Sequence, residues 1–293
     1  MLTKEQFHEK IARGVHFLDG ATGSNLQKTG MPKGCCTEQW VLENPAPLIA
    51  LQRQYAEAGS QILYAPTFQA QPIALERVGL SRQTEAVNAR LVALSRSAAP
   101  DCLIAGDLTT LAAFCESWNP DNFDLLIDNY RRQIRGLIDG GADLLVAETL
   151  MYPTEAEAIL AASELEGAGA IMYSFVMTAD ASLFSGQDAI VVLKDLQDAG
   201  AAAVGFNCVA ADMMTPYLVR KLVRDIRIPI LCKPNAGNPI INEAGIAEYS
   251  MDPQDFAQTL LNCKRNGATL LGGCCGTTPA HIAAAKYAIE EAV

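Results

Sequence analysis

Residues 140–148, Gly-Gly-Ala-Asp-Leu-Leu-Val-Ala-Glu, join a glycine turn to a short apolar run that ends in a carboxylate. Apolar residues recur at every third or fourth position in Asp121–Gly136 before the turn and in Thr154–Glu164 after the run. Such spacing predicts amphipathic helices, whereas a short apolar run bounded by turn residues predicts a buried strand. The stretch therefore predicts a helix, a strand and a second helix joined by tight turns.

The same unit is repeated along the whole chain. Helical stretches alternate with apolar runs, and glycines such as Gly59, Gly200 and Gly267 stand shortly before the runs, where helices commonly stop. The eight runs are Val15–Asp19, Gln61–Ala65, Leu103–Asp107, Asp143–Glu148, Ala170–Val176, Ala202–Asn207, Pro229–Lys233 and Thr269–Gly273. Eight units in 293 residues give about 37 residues per unit, which fits a repeated strand–helix pair.

Alternating strands and helices predict a parallel sheet, and eight uninterrupted units predict a closed (β/α)8 TIM barrel of the α/β class. We expect a single domain over residues 1–293, because no Pro/Ser-rich linker or charge block marks a boundary. The alternative is an open, doubly wound sheet, which would carry a glycine-rich phosphate loop after its first strand. Asp19-Gly20-Ala21-Thr22-Gly23 has two glycines there but lacks the full fingerprint, so the barrel is favoured.

Composition excludes several classes of protein. Apolar residues make up 50% and charged residues 19%, which rules out a disordered chain and a coiled coil. A net charge of −11, from 22 Lys and Arg against 33 Asp and Glu, argues against nucleic acid as a partner, because phosphates require a basic face. We expect no membrane span, since the chain lacks roughly 18 consecutive apolar residues.

The cysteine content of the chain indicates whether its compartment is reducing or oxidising. The chain contains nine of them, and its polar N-terminus does not resemble a signal peptide. In a reducing compartment such thiols are metal ligands, catalytic groups or small core residues more often than disulfides. We therefore expect the protein in the cytoplasm.

Three of the cysteines are candidate metal ligands. Functional side chains of such barrels lie at the C-terminal ends of the strands. Cys208 follows the sixth run, and Cys274 and Cys275 follow the eighth, one strand further on in a closed barrel. Three thiolates suit Zn²⁺, and catalytic zinc sites keep three protein ligands and an open position. The three histidines stand away from the predicted strand ends, so we expect an external thiol, which zinc would ionise.

The alternative interpretation is that Cys274 and Cys275 are small residues in a glycine turn and Cys208 is a buried apolar residue. Because cysteine motifs occur at two separate strand ends, this packing interpretation is much less favoured here than it would be for an isolated cysteine. The vicinal pair Cys35 and Cys36 has no strand in front of it, so a structural role is favoured. The remaining four cysteines are interpreted as packing residues: Cys102, Cys115, Cys232 and Cys263.

Motifs at these strand ends resemble those of a known family. Gly205-Phe206-Asn207-Cys208 and the Gly-Gly-Cys-Cys-Gly-Thr-Thr-Pro segment of residues 272–279 are similar to the zinc motifs of the homocysteine S-methyltransferase family. Residues 18–23 resemble its opening strand motif, and residues 147–149 resemble its mid-barrel glutamate motif. The likeness runs over residues 15–285 and is closer to the homocysteine-binding module of cobalamin-dependent methionine synthases than to the betaine-using branch.

The resemblance implies that Cys208, Cys274 and Cys275 hold Zn²⁺ and that homocysteine supplies a fourth, thiolate ligand. That thiolate would take a methyl group by in-line displacement, giving methionine. The resemblance also implies substrate-binding residues beside the cysteines: Asp19 and Glu148 near the amino group, the turn amides of Gly20, Ala21 and Thr22 near the carboxylate, and Asn207.

The chain departs from the family pattern in two places. Residues 65–69 are Ala-Pro-Thr-Phe-Gln where many members carry Thr-Asn-Thr-Phe, and betaine-using enzymes carry a tyrosine where this chain has Gln69. The segment Asp107-Leu108-Thr109-Thr110 differs from the glycine- and proline-containing turn expected after the third strand. The departure at Gln69 argues against betaine as the methyl donor.

The donor is the least determined part of the reaction. The chain lacks the Asp-x-His-x-x-Gly pattern that ligates cobalamin in related modules, so methylcobalamin is expected on a separate corrinoid protein or module. One alternative is S-methylmethionine as a small donor. Another is a non-enzymatic zinc- or redox-responsive interaction protein on the same barrel. The presence of Asp19, Glu148 and Asn207 beside the cysteines favours the enzyme, because a protein that only held metal would not need them.

Overall fold

The computed structural model describes residues 1–242 and 247–292 and contains a closed (β/α)8 barrel. Its strands are β1 (His16–Phe17), β2 (Ile62–Tyr64), β3 (Leu103–Thr109), β4 (Leu144–Leu150), β5 (Ile171–Phe175), β6 (Ala203–Ala210), β7 (Ile230–Asn235), β8 (Ile240–Ile241), β9 (Ala247–Glu248) and β10 (Leu270–Leu271). β8 and β9 form a separate antiparallel hairpin, and the other eight are parallel in the order β1-β10-β7-β6-β5-β4-β3-β2. A parallel bridge between Leu18 and Ile62 closes the ring. The predicted barrel is confirmed, and the open-sheet alternative is wrong.

An outer helix follows each barrel strand. The helices are α1 (Lys4–Lys10), α2 (Gly23–Lys28), α3 (Thr37–Glu43), α4 (Pro45–Glu57), α5 (Pro72–Leu75), α6 (Thr84–Ala98), α7 (Phe123–Asp139), α8 (Pro153–Glu166), α9 (Ala189–Asp198), α10 (Met214–Asp225), α11 (Pro253–Arg265) and α12 (Pro279–Glu291). The outer ring consists of α4 and α6 to α12, and the short α1, α2, α3 and α5 lie outside the repeat that the sequence predicted. Within the described residues, none of these helices has the length and apolarity needed to cross a membrane.

Local sequence explains where several outer helices begin. α4, α8, α11 and α12 start with proline, whose missing N–H is not needed in the first turn. Asp252 caps α11 by accepting hydrogen bonds from the N–H groups of Gln254 and Asp255, and Asp188 caps α9 in the same way through Ile190. These caps hold the helix starts at the C-terminal face of the barrel, where the loops that form the site begin.

The inside of the ring changes from apolar to polar along the strands. Alternate residues of a strand face the same side of the wall, and Ala105, Val146 and Leu231 belong to one buried apolar cluster inside the barrel. Two residues further along the same strands stand the charged residues Asp107, Glu148 and Lys233. The barrel therefore has an apolar interior towards its N-terminal end and a layer of ionisable groups at its mouth.

Helix α1, which the sequence pattern did not predict, seals the N-terminal end of the barrel. Phe7 is fully buried and joins the apolar cluster inside the ring, together with Ile11. The N–H of Leu2 donates to the carbonyl of Asp143 at 2.7 Å, and the N–H of Ala170 donates to the carbonyl of Leu2 at 2.8 Å. The segment before α1 thus hydrogen-bonds to the starts of β4 and β5. With seven residues, α1 is too short for its periodicity to stand out.

We predict that Phe7→Ala destabilises the fold by about 3–5 kcal/mol, because it removes a fully buried aromatic ring and leaves a cavity at the end of the barrel. Urea unfolding followed by circular dichroism measures the effect. Phe184→Ala is the matched control, since that ring is 62% exposed and its loss is expected to change the unfolding free energy by less than about 0.5 kcal/mol. Equal stability of the two variants would contradict a sealing role for α1.

Candidate active site

Three cysteines meet at the C-terminal mouth of the barrel. Cys208 lies on β6, and Cys274 and Cys275 follow β10, with only β7 between these strands in the wall. The three Sγ atoms all lie within 4.8 Å of one another, and the residues are half-buried. The structure therefore brings together the three residues that the sequence predicted as metal ligands. Among residues 1–242 and 247–292, this is the group of His, Cys, Asp or Glu side chains that is close enough to hold a metal ion.

The backbone beside this cluster is strained at two positions. Thr149 (φ 60°) and Cys208 (φ 57°) adopt the left-handed conformation that residues with a side chain rarely use. Each coincides with a shift in strand register, of β4 against β5 and of β6 against β7. A conformation of this kind costs about 1–3 kcal/mol, and bulges near active sites redirect side chains. We attribute the position of the Cys208 thiol to the bulge that ends the regular part of β6.

Asn207 holds the two bulged strands together. Its Oδ1 accepts hydrogen bonds from the N–H of Thr149 at 2.8 Å and from the hydroxyl of Ser174 at 3.0 Å. Its Nδ2 donates to Oγ1 of Thr149 at 2.7 Å and lies 3.5 Å from Oε2 of Glu148 and 3.8 Å from Sγ of Cys274. Asn207 is fully buried, so it supports the wall of the site from behind, and its contact with a substrate stays a prediction.

The donor set fits a zinc ion. Zinc–sulfur bonds of about 2.3 Å place two thiolates of a tetrahedral site about 3.8 Å apart, which is compatible with sulfur atoms that lie within 4.8 Å of one another. Hydrogen bonds from Cys208 and Cys274 lower the pKa of Cys275 to about 3, and the Tyr249 hydroxyl contributes to this effect. Gly276 has a φ of +81° and packs against the Tyr249 ring, which a Cβ would approach to 2.3 Å. Glycine is therefore required immediately after the cysteine pair.

A pocket of about 270 Å³ opens beside the three cysteines. All the predicted substrate residues except Asn207 contribute to its walls: Asp19, Gly20, Ala21, Thr22 and Glu148. The same walls contain Phe68 and Gln69 from the loop after β2 and Asp107 from β3. A small molecule in this pocket would have its polar groups among carboxylates and its far end at the sulfur atoms.

The loop after β1 is held against the loop after β10. The N–H of Ala21 donates to Oγ1 of Thr277 at 3.1 Å, and the Tyr55 hydroxyl donates to the carbonyl of Ala21 at 2.9 Å. A Cβ on Gly20 would lie 2.6 Å from that hydroxyl and 2.7 Å from the Thr277 oxygen, so only glycine fits. These contacts fix the turn at the edge of the pocket and use the Ala21 amide internally.

Lys233 is a central residue of the site that the sequence analysis missed. Its side chain is 3% exposed, and its ammonium group lies 3.0 Å from Oδ1 of Asp19 and 3.6 Å from Oε2 of Glu148. It also lies 3.6 Å from the centroid of the Tyr64 ring, a favourable cation–π distance. The Tyr64 N–H donates to Oδ2 of Asp19 at 2.8 Å. The predicted acidic pair is thus already bound to an internal cation.

Burial and charge oppose each other in this group. Burial alone would lower the pKa of Lys233, but the carboxylates of Asp19 and Glu148 raise it well above its ordinary value. Burial raises the pKa of Glu148 to about 7 despite the nearby ammonium group. It also raises the pKa of Asp19. At the mouth of the barrel, the ion pairs with Lys233 therefore offset only part of the free energy that desolvation of the Asp19 and Glu148 carboxylates costs.

The signal for Lys233 was present in the strand periodicity. Leu231 faces the interior, so a residue two positions later faces it as well. The predicted run ended at Lys233, whereas the strand continues to Asn235. Ending the run at Lys233 does not by itself identify this lysine as a residue of the site. The same alternation from Ala105 places Asp107 at the mouth of β3.

The other cysteines and the histidines lie away from the cluster. Cys36 precedes α3 and donates to a carboxylate oxygen of Glu38, as a local structural contact. Cys232 and Cys263 are fully buried against each other, with their Sγ atoms 3.7 Å apart. The histidines contact backbone carbonyls or helix ends elsewhere in the fold, as with the bond of His281 to the carbonyl of Met251.

Comparison with known proteins gives concordant results. The family model of homocysteine S-methyltransferases matches residues 16–289. The methionine synthases of Mycobacterium leprae and Mycobacterium tuberculosis are both 27% identical to the chain, over 97% and 96% of its length. The chain spans about a quarter of the length of these relatives, with 25% of each covered.

Solved structures agree with the sequence matches. The metallated homocysteine methyltransferase MmuM of Escherichia coli superposes with a TM-score of 0.80 at 27% identity, covering 94% of this chain and 96% of that one. A methyltransferase from Methanosarcina mazei, at 13% identity and a TM-score of 0.63, shares the fold. Because the family model extends from β1 into α12 and so spans the whole barrel, we conclude that this chain belongs to the homocysteine S-methyltransferase family.

Proposed function

We propose that this protein is a zinc-dependent S-methyltransferase that binds homocysteine as a thiolate and methylates it to methionine, with residues 1–293 forming one homocysteine-binding barrel. The observation that carries this proposal is the meeting of three thiol sulfur atoms within 4.8 Å of one another at the edge of a pocket. Catalytic zinc sites use three protein ligands and leave one position for a reacting ligand. The substrate thiol is the fourth donor that this arrangement lacks.

Cys208, Cys274 and Cys275 would hold the metal. Zinc, when bound, lowers the pKa of a coordinating thiol enough to keep it ionised at neutral pH. The chain's own residues position the reacting groups. Asn207 restrains the Cys274 sulfur through its amide at 3.8 Å, and the bulge at Cys208 directs the third thiol to the cluster.

The pocket next to the sulfur atoms suits an amino acid. Asp19 and Glu148 are assigned to the amino side of the substrate, because carboxylates complement an ammonium group. Gly20, Ala21 and Thr22 are assigned to the carboxylate side, since successive backbone amides at a turn favour an anion. The Ala21 amide already donates to Thr277, so its part is to hold the turn while the neighbouring residues face the substrate.

We assign a methylcorrinoid, methylcobalamin, carried by a separate protein or module, as the methyl donor. Large apolar side chains stand exposed in the loops that follow β5, β6 and β7: Phe184 at 62%, Met213 at 92% and Ile241 at 64%. Exposed apolar groups around a site are typical of surfaces that bind another protein. A small sulfonium such as S-methylmethionine would reach the pocket without covering them. The matching relatives named methionine synthase, of which this chain spans about a quarter, also favour a donor held by another module.

A reducing compartment, the cytoplasm, is part of the proposal. The nine cysteines of the chain are all free thiols, and a three-thiol metal centre requires that they stay reduced.

We predict that the purified protein binds one zinc ion per chain, and that Cys208→Ser, Cys274→Ser and Cys275→Ser each weaken zinc binding by at least about 100-fold, because a hydroxyl is a much poorer zinc ligand than a thiolate. Competition with a chromophoric chelator measures the affinity. Cys115→Ser is the matched control, since this half-buried thiol contacts the carbonyl of Leu111 away from the cluster. Wild-type affinity in any of the three cluster variants would remove that residue from the ligand set.

We predict that L-homocysteine binds the zinc-loaded protein with release of about one proton at pH 7, since metal ligation requires the deprotonated thiol. Isothermal titration in two buffers of different ionisation enthalpy gives the proton count. The Cys208→Ser variant should lose both the binding and the proton release. Absence of binding by the fully metallated wild-type protein would count against homocysteine as the acceptor.

We predict that the zinc-loaded protein forms methionine from L-homocysteine with methylcobalamin as the donor and not with S-methylmethionine. The donor loses its methyl group, and the change in corrinoid absorbance follows the transfer while mass spectrometry identifies the methionine. Cys275→Ser should abolish the reaction and so exclude transfer in solution. Methionine formed only from S-methylmethionine would reverse the donor assignment and leave the zinc thiolate proposal in place.

A further inference from the structure

Three polar atoms that line the pocket have no hydrogen-bond partner among the residues that the structure describes. They are Oδ1 of Asp107, the hydroxyl oxygen of Tyr64 and Oγ of Ser24, and Asp107 and Tyr64 are each only 4% exposed. Buried polar atoms in folded proteins nearly always have a partner. Three unpartnered atoms in the wall of one cavity therefore indicate a ligand that supplies the missing contacts, and Asp107 is the one of the three residues that carries a carboxyl group.

The position of Asp107 is fixed by its neighbours. Its N–H donates to Oγ1 of Thr67 at 3.0 Å, and its carbonyl accepts from the Thr67 hydroxyl at 2.9 Å and from Nε2 of Gln133 at 3.1 Å. Thr67 and Gln133 are both fully buried. The backbone that carries the carboxyl group is thus rigid, which is the condition for a preformed binding group.

The other carboxyl groups of the pocket already have partners. Asp19 is 3.0 Å from the ammonium group of Lys233, and Glu148 is 3.6 Å from the same group. Glu38, also in the pocket wall, accepts a hydrogen bond from the N–H of Gln69 at 2.7 Å. Asp107 differs from these three carboxyl groups because its Oδ1 has no hydrogen-bond partner among the described residues.

The charge of the pocket is unbalanced. Among the described residues that line it, one cation, Lys233, stands against four carboxyl groups, those of Asp19, Glu38, Asp107 and Glu148. Burial and the nearby Glu148 carboxylate raise the pKa of Asp107 well above its ordinary value, as expected for a carboxyl group without a counter-ion. A cationic group on a ligand would supply that counter-ion.

We propose that Asp107 is a substrate-binding residue that accepts the α-ammonium group of the thiol amino acid, with the Tyr64 hydroxyl oxygen as a second acceptor. The inference rests on the proposed function, because it names the group that reads the amino end of the acceptor. The ammonium group of Lys233 is paired with Asp19 and Glu148, so Asp107 makes the direct contact with the substrate's ammonium group. The pocket thereby selects thiols that carry an amino group over thiols that lack one.

The test compares two thiols that differ only in this group. L-Homocysteine and 4-mercaptobutanoate, which has a hydrogen in place of the amino group, are titrated into zinc-loaded wild type, Asp107→Asn and Glu38→Gln. Wild type should prefer homocysteine. Asp107→Asn should weaken homocysteine binding about 10- to 100-fold, the effect of one buried charged contact, and leave 4-mercaptobutanoate within about twofold. Glu38→Gln, a matched carboxyl change in the same wall, should change both affinities by the same factor.

Binding of 4-mercaptobutanoate by Asp107→Asn also reports that the variant is folded and metallated. A measurement on the unmodified protein is independent of folding: 3-aminopropane-1-thiol, which keeps the amino group, should bind more tightly than propane-1-thiol. If Asp107→Asn keeps the wild-type preference for homocysteine, or if the aminothiol has no advantage, the assignment of Asp107 is wrong and the proposed function stands. If zinc-loaded wild type binds none of these thiols, the proposed function fails and the inference fails with it.

Discussion

Closure of eight parallel strands into one ring is the constraint from which the rest of this structure follows. The ring places every strand end on the same face and directs alternate side chains into a narrow interior. Space inside must be filled, and the apolar cluster sealed by Phe7 fills the N-terminal part. The remaining inward positions lie at the mouth of the barrel, where polar side chains line the pocket and can contact a ligand. Two cysteine motifs far apart in the chain become neighbours for the same geometrical reason.

Burying the ionisable groups at the mouth of the barrel costs free energy. Removing a charge from water costs several kcal/mol, and a buried pair seldom recovers more than it loses. A lysine that is 3% exposed between two carboxylates therefore adds little to stability. Its effect is to fix the positions of Asp19 and Glu148 and to oppose the rise in their pKa that burial causes. Such an arrangement is understandable at a binding site, where fixed charges bind a ligand without reorganising, and would be unfavourable in a core that served packing alone.

The fold was accessible from the sequence because its signals are local and repeated. The eight apolar runs predict their strands from spacing alone, and all eight barrel strands overlap the predicted runs. The amphipathic stretches Asp121–Gly136 and Thr154–Glu164 likewise overlap α7 and α8. Cys208, Cys274 and Cys275 were also accessible, since strand ends in a barrel share one face. Helix α1 was missed because its seven residues are too few for a periodicity to stand out. The segment before it is held by residues more than a hundred positions away, since Leu2 hydrogen-bonds to Asp143 and Ala170.

The details of the site depend on contacts that no local pattern encodes. The left-handed conformations of Thr149 and Cys208 arise where the register shifts between neighbouring strands, and the Asn207 amide hydrogen-bonds to Thr149. Lys233 and Asp107 were visible as inward positions of their strands, but a position does not reveal a partner. Among the residues that the structure describes, Lys233 is paired and one oxygen of Asp107 is not, and this difference depends on where β1, β3 and β7 place their ends.

Charge balance connects the sulfur cluster to the rest of the mouth. A divalent ion with three thiolates carries a net negative charge, and a fourth thiolate from a substrate would increase it. The ammonium group of Lys233 is close enough to Cys274 for that thiol to raise the pKa of the lysine, so the lysine offsets part of this charge without touching the reacting atom. Under the proposed function, methylation of the bound thiolate would turn it into an uncharged thioether. The excess negative charge at the mouth would then fall on the product side of the proposed reaction, and this loss of charge would favour release of the product.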